Sequence, residues 1–143
     1  MRYLALLLLL AAPPALSQVQ VEKAWARATA PGAKVAAGYM IVRNQAEAAD
    51  RLVSVTSPAA ERVETHVTVR DGDIMRMREV KGYELAPQGT LELKPGGAHL
   101  MFVDIRAPFR EGERVPATLR FEKAGEVRVE FHVGRLTAQG HGH

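Results

Sequence analysis

No cysteine occurs anywhere in the 143 residues, and that absence removes a group of chemistries at once. A chain without thiols forms no disulfide, offers no thiolate nucleophile, and builds no Cys zinc site, iron-sulfur cluster or blue-copper centre. It also has no cysteine to carry a lipid. Long apolar runs are scarce: the main one, Leu4 to Ala12, is nine residues, about half of the roughly 20 needed to span a bilayer. Neither charge dominates, with 19 Lys+Arg against 16 Asp+Glu and 6% aromatics. Arg27, Lys34, Arg43, Arg51 and Arg62 stand singly rather than massed in a run. They read as a solvated surface, so nucleic acid is excluded as a partner.

The apolar run has a different use. Arg2 supplies a positive n-region, and Ala15-Leu16-Ser17 sets small residues at the −3 and −1 positions of a cleavage site. Residues 1–17 are therefore expected to be a signal peptide, with a mature chain from Gln18 that has no membrane span and resides in the periplasm. A domain is expected over 18–136, followed by a flexible His-containing tail over 137–143. At this length a single domain is the expectation.

From Val19 onward no window sustains a helical period. Apolar and polar residues instead alternate in short runs separated by turn-forming clusters such as Ala30-Pro31-Gly32, Asp71-Gly72 and Pro95-Gly96-Gly97. The pattern predicts strands over 19–26, 36–43, 50–57, 62–70, 74–80, 90–93, 99–105, 114–121 and 127–133. That number of strands at this spacing argues for an all-β sandwich. Val127, Val129, Phe131 and Val133 define one buried face, which turns His132 away from the core.

Histidine and methionine fall in pairs within this pattern. If Asp71-Gly72 is a two-residue hairpin turn, His66 lies directly opposite Met77, with Met75 on the same face opposite Thr68. Directly paired side chains are close enough for one ion to touch both. The same register sets Glu64 opposite Glu79, an unfavourable like-charge pair. A second couple, His99 and Met101, shares a strand face because the two are separated by one residue. Two neutral imidazoles and two thioethers, with no carboxylate among them, form a soft and uncharged donor set. Softness selects Cu(I) over Zn, Mg, Ca or Mn. Without a Cys thiolate, such a site is expected to carry copper rather than cycle electrons.

The spacing is His66, ten residues, Met77, twenty-one residues, His99, one residue, Met101. It resembles the motif of the periplasmic PCuAC-type copper chaperones, which bind Cu(I) and help supply the CuA centre of cytochrome c oxidase alongside Sco-type proteins. The resemblance extends to Ala24-Trp25-Ala26-Arg27-Ala28-Thr29, Ala37-Gly38-Tyr39-Met40, and the stretch from Leu93 to Met101. It implies a cupredoxin-like Greek-key β-sandwich and transfers the ligand role to His66, Met77, His99 and Met101. Met75 lies outside the motif and is an accessory candidate. Members of that family often end in a His- or Met-rich extension. Here it shrinks to His141 and His143, candidates for a weak Cu(II) site.

The expected function is a monomeric Cu(I) carrier that yields its ion by ligand exchange to a thiolate-bearing acceptor, either the CuA-bearing subunit or a Sco-type protein. Affinity is expected to fall on acidification, because protonated imidazole cannot ligate. The alternative is copper sequestration for tolerance without a dedicated acceptor. An enzyme is not expected, since four protein ligands leave no open position and Gln18 gives no N-terminal His for a histidine brace. A secreted adhesion or assembly module is the metal-free alternative.

Overall fold

The computed structural model describes residues 18–135. The expected signal segment and the tail with His141 and His143 lie outside the described residues. The described chain runs as ten strands: β1 (Val19–Arg27), β2 (Val35–Asn44), β3 (Asp50–Thr56), β4 (Ala60–Asp71), β5 (Ile74–Glu79), β6 (Tyr83–Leu85), β7 (Thr90–Leu93), β8 (His99–Ile105), β9 (Arg114–Phe121) and β10 (Gly125–Gly134). All nine expected strands are present with small shifts at their ends. The alternation pattern does not predict β6, because three residues are too few to establish a period. Among the described residues there is no helix, and so none long and apolar enough to cross a membrane.

The strands lie in the order β5-β4-β8-β2-β1-β10-β9-β3-β6. A further pairing, Val55 of β3 with Val63 of β4, joins β3 back to β4 and closes the ring. All pairings are antiparallel except β1 with β10. This is the all-β, cupredoxin-like Greek-key sandwich the sequence implies, with β5 left outside the closed part as an edge strand.

Alternation produces this arrangement because every second residue of a strand points inward. Phe102, Phe121, Phe131, Met40, Leu52, Leu85, Leu100, Leu119 and Val42 are fully buried. Burying a side chain of this size contributes on the order of 1.5–3 kcal/mol. Phe102 meets Phe109 and Phe131 edge-on, with ring centroids 5.3 and 5.6 Å apart. Gly38 makes room for that cluster, since a Cβ there would lie 2.7 Å from the Phe102 ring. On β10, Phe131 and Val133 are buried while Val127 and Val129 are half-buried against the same core.

β7 and β8 both pair with β2, β7 along Met40–Arg43 and β8 along Val35–Gly38. The chain must therefore turn between them while staying on one edge of β2. It does so through Lys94–Ala98, where the Gly97 N–H donates to the Lys94 carbonyl (2.9 Å) and the Lys94 N–H to the Ala98 carbonyl (3.0 Å). That turn sets His99 at the first position of β8.

Candidate metal centre

β4 carries one half of the site and is paired on both edges. Along one edge β8 sets His99 opposite His66 and Met101 opposite Glu64. Along the other, β5 sets Glu79 opposite His66, Met77 opposite Thr68 and Met75 opposite Arg70. Directly paired residues share a face. His66, His99, Met101, Met75 and Met77 therefore all project from the same side of this three-stranded patch.

The hairpin register differs from the expected one by two residues. The loop is Gly72-Asp73, so Asp71 pairs with Ile74 and Met77 is not opposite His66. The reason is backbone sign. Gly72 has φ +62, whereas Asp73 is not among the positive-φ residues. Positive φ at the first loop position alone is the type II′ pattern, with glycine first, while the expected Asp-Gly turn of type I′ needs it at both. A slip of two keeps every side chain on its face, so Met77 and Met75 remain on the side of His66, displaced along the strand. The slip also removes the expected Glu64–Glu79 clash.

Met75, Met77, Met101 and His99 line one cavity of about 230 Å³, walled further by Ala37, Tyr39, Thr68 and Gly96. His66 does not line it. Its ring lies beside that of His99, with centroids 5.5 Å apart and planes at 40°. Met77 is 65% exposed and Met75 58%, whereas His99 is 5% exposed. A larger cavity, about 390 Å³ between Pro58, Pro116 and β10, has neither sulfur nor imidazole in its lining.

Each imidazole is held by one nitrogen. His66 Nε2 lies 2.8 Å from Glu64 Oε2, and His99 Nδ1 lies 3.1 Å from the Gly97 carbonyl. The other nitrogens, His66 Nδ1 and His99 Nε2, are buried with no hydrogen-bond partner among the described residues. A buried polar atom left unpaired costs about 1–3 kcal/mol, and here two such atoms sit in adjacent rings. The expectation that no carboxylate accompanies the donors is corrected here. Glu64 sits two residues from His66 on the same strand face, a relation the i, i+2 rule makes visible in the sequence.

The frame around the rings is fixed by residues the sequence reading missed. The buried Tyr83 hydroxyl lies 2.6 Å from the His66 carbonyl and 2.7 Å from the His99 carbonyl, sharing its proton between the two strands. Burial pushes the Tyr83 phenol up to about 12. Tyr83 reaches that point because the Thr65 hydroxyl donates to the Val80 carbonyl (2.5 Å) and accepts from the Gly82 N–H (3.1 Å). Gly82 has φ +80, and a Cβ there would meet the Leu52 carbonyl oxygen, so only glycine fits. Thr68 donates to the Gly97 carbonyl (3.1 Å), tying β4 to the turn that also holds His99.

The His66 ring N–H, with the Arg62 guanidinium 2.9 Å from the other oxygen, holds the Glu64 carboxyl below the usual carboxylate range. Burial raises the Tyr39 phenol, partly offset by Arg27, whose guanidinium lies 6.0 Å from the ring. Tyr39, which lines the cavity, is packed on Trp25 with centroids 4.6 Å apart. Among the described residues, no group of three or more His, Asp or Glu is placed to hold a metal ion. Any ion here would take sulfur as well as nitrogen.

Comparison with known proteins gives consistent matches. The LpqE-like family, described as "Putative lipoprotein LpqE-like", matches residues 19–133. A relative from Leifsonia xyli subsp. xyli (strain CTCB07), "Putative lipoprotein Lxx21020", is 38% identical over 116 residues, covering 80% of this chain and 69% of that protein. Among solved structures, the copper-bound PCuAC domain from PmoF2 is 32% identical with a TM-score of 0.74, over 85% of this chain and 96% of that one. The Cu(I) form of DR1885 from Deinococcus radiodurans is 26% identical with a TM-score of 0.69, over 90% of this chain and 85% of that one.

Proposed function

This chain belongs to the LpqE-like family and shares the fold of PCuAC domains, and from that premise we propose that it is an exported carrier of Cu(I). The ion is bound by His66, Met77, His99 and Met101, and Met75 is a spare thioether at the mouth. The observation that carries this reading is the pair of buried, unpartnered imidazole nitrogens in adjacent rings, one of them at a cavity lined by three methionines. Neutral nitrogen and thioether sulfur suit a soft monovalent ion, which needs little charge compensation. The likeness to copper-bound PCuAC domains supports the same reading.

In this proposal copper is cargo, and the protein is not a catalyst. The two imidazoles sit on strands braced by Tyr83, so they form the fixed part of the site. Met77 stands on the exposed edge strand β5, where an incoming thiolate can reach the ion and displace the thioether without any change of oxidation state. The acceptor in this reading is the CuA-bearing subunit of cytochrome c oxidase, directly or through a Sco-type partner. Thioethers form no disulfides, which suits an oxidising compartment such as the periplasm. His141 and His143 take an accessory Cu(II) role in this reading.

The decisive experiment compares Cu(I) affinity of the parent and of Met77→Leu plus Met101→Leu, by competition with a chromogenic chelator under reducing conditions. A fall of at least about 100-fold is expected, equivalent to about 2.7 kcal/mol. Unchanged affinity would sink the site. Transfer from the loaded protein to an apo CuA domain then separates delivery from sequestration.

A further inference from the structure

Resting on that copper reading, we propose that Glu64 is a positioning residue that selects the ligating atom of His66. It fixes the Nε2–H tautomer so that Nδ1 is the nitrogen offered to Cu(I). His99 is set the opposite way by the Gly97 carbonyl, offering Nε2. The two histidines thus coordinate through different ring atoms, each chosen by an acceptor behind it.

The argument rests on what each partner can do. A neutral imidazole has one N–H and one lone pair, and an ionised carboxylate or a backbone carbonyl can only accept. The nitrogen of His66 that lies 2.8 Å from Glu64 Oε2 must therefore carry the hydrogen, leaving the lone pair on Nδ1. The nitrogen of His99 that lies 3.1 Å from the Gly97 carbonyl must likewise be the donor, leaving the lone pair on Nε2. Those two lone-pair atoms are the buried nitrogens without partners among the described residues. Four atoms in two rings thus agree on one assignment.

Glu64 is itself held in place. Its second oxygen accepts from Arg62 Nε at 2.9 Å, and Arg62 Nη1 lies 3.7 Å from Asp104 Oδ2 across the pairing with β8. Arg62, Glu64 and His66 occupy alternate positions of β4 and so share its face. The result is a row of alternating charge that ends on an imidazole N–H. Acceptors behind metal-bound histidines orient the ring and raise its basicity, and losing one typically costs 10–100-fold in metal affinity.

The test uses the mature protein and the variants Glu64→Ala and Glu64→Gln, with thermal unfolding as the fold control. Long-range proton–nitrogen NMR reads the tautomer of each histidine in the metal-free protein and the nitrogen that shifts on Cu(I) loading. In the parent, His66 should be the Nε2–H tautomer with Nδ1 shifting on loading, and His99 the reverse. Glu64→Ala should lose the His66 preference and bind Cu(I) about 10–100-fold more weakly, with the His99 tautomer unchanged. Glu64→Gln keeps an oxygen acceptor and should recover most of that loss. A parent His66 in the Nδ1–H form, a loading shift at Nε2, or a Glu64→Ala variant with parental tautomer and affinity overturns the proposal while leaving the copper reading intact. A parent protein that retains no Cu(I) at all overturns the copper reading first, and the Nδ1 ligand assignment with it.

Discussion

Two buried polar clusters sit in different parts of the sheet and are built to opposite rules. At the start of β3, the buried Asp50 carboxylate accepts from the backbone N–H of Arg51 (2.7 Å), Lys123 (2.9 Å) and Ala124 (3.0 Å), clamping the β9–β10 turn. Nearby, the buried Asn44 amide donates to the carbonyls of Ala48 and Ala86 and accepts from the Ala46 N–H. Every side-chain oxygen and nitrogen of these two residues has at least one partner. At the β4–β8 seam, by contrast, two imidazoles are each tied by one nitrogen and have no partner among the described residues at the other. Buried polar groups are as a rule hydrogen-bonded, so the first cluster reads as one that holds the fold, whereas the second is the one to which the proposed function assigns a ligand.

That contrast can be broken by substitution. Asp50→Ala leaves three backbone donors without their acceptor, and hydrogen bonds to charged groups are worth roughly 1.5–3 kcal/mol. The variant should lose about 3 kcal/mol of unfolding free energy in denaturant titration, while its Cu(I) affinity stays at the parental value. A loss of copper binding there would show that the two clusters are coupled.

Acid titration sharpens the same comparison. Burial raises the Asp50 carboxyl, but the three N–H donors outweigh it and hold the folded-state value below the ordinary carboxylate range. The folded state then binds fewer protons than the unfolded one, so stability rises with pH across that window. The contribution is complete above the ordinary carboxylate range and is lost as pH falls below it through the depressed folded value. Thermal melts of Asp50→Asn should therefore depend less steeply on pH than the parent in that window, and equal slopes would remove Asp50 from the account.

The smallest stability effect belongs to the site itself. His99→Leu deletes a buried lone pair that has no partner and keeps an apolar side chain of similar bulk, at the expense of one bond to the Gly97 carbonyl. Its unfolding free energy should change by no more than about 1 kcal/mol, while Cu(I) is no longer retained on a desalting column. A large destabilisation with copper retained would reverse the roles assigned to the two clusters.

Much of the fold was legible because alternation is a local signal. Nine strands could be placed from period-two patterning, and the shared faces of His66 with Met77 and of His99 with Met101 followed from parity alone. What failed was what depends on φ sign or on distant pairing. The hairpin register turned on whether Asp or Gly opens the loop, and β6 was too short to show a period. The juxtaposition of His66 with His99 comes from the β4–β8 pairing, which spans a sequence separation no local pattern encodes. Glu64 was different. It stood within reach of the i, i+2 rule but was read against Glu79 because the register was wrong.

The two-residue slip carries a lesson about tolerance. The β4–β5 hairpin sets the face of its methionines through parity and their place along the strand through count. Lengthening or shortening it by two residues moves Met75 and Met77 along the strand yet leaves them facing the histidines, whereas a change of one turns both outward. Parity alone does not keep the site, however: a change of two carries each thioether about 7 Å along the strand, so the loop sets both the face on which the methionines stand and the distance at which they stand from the histidines.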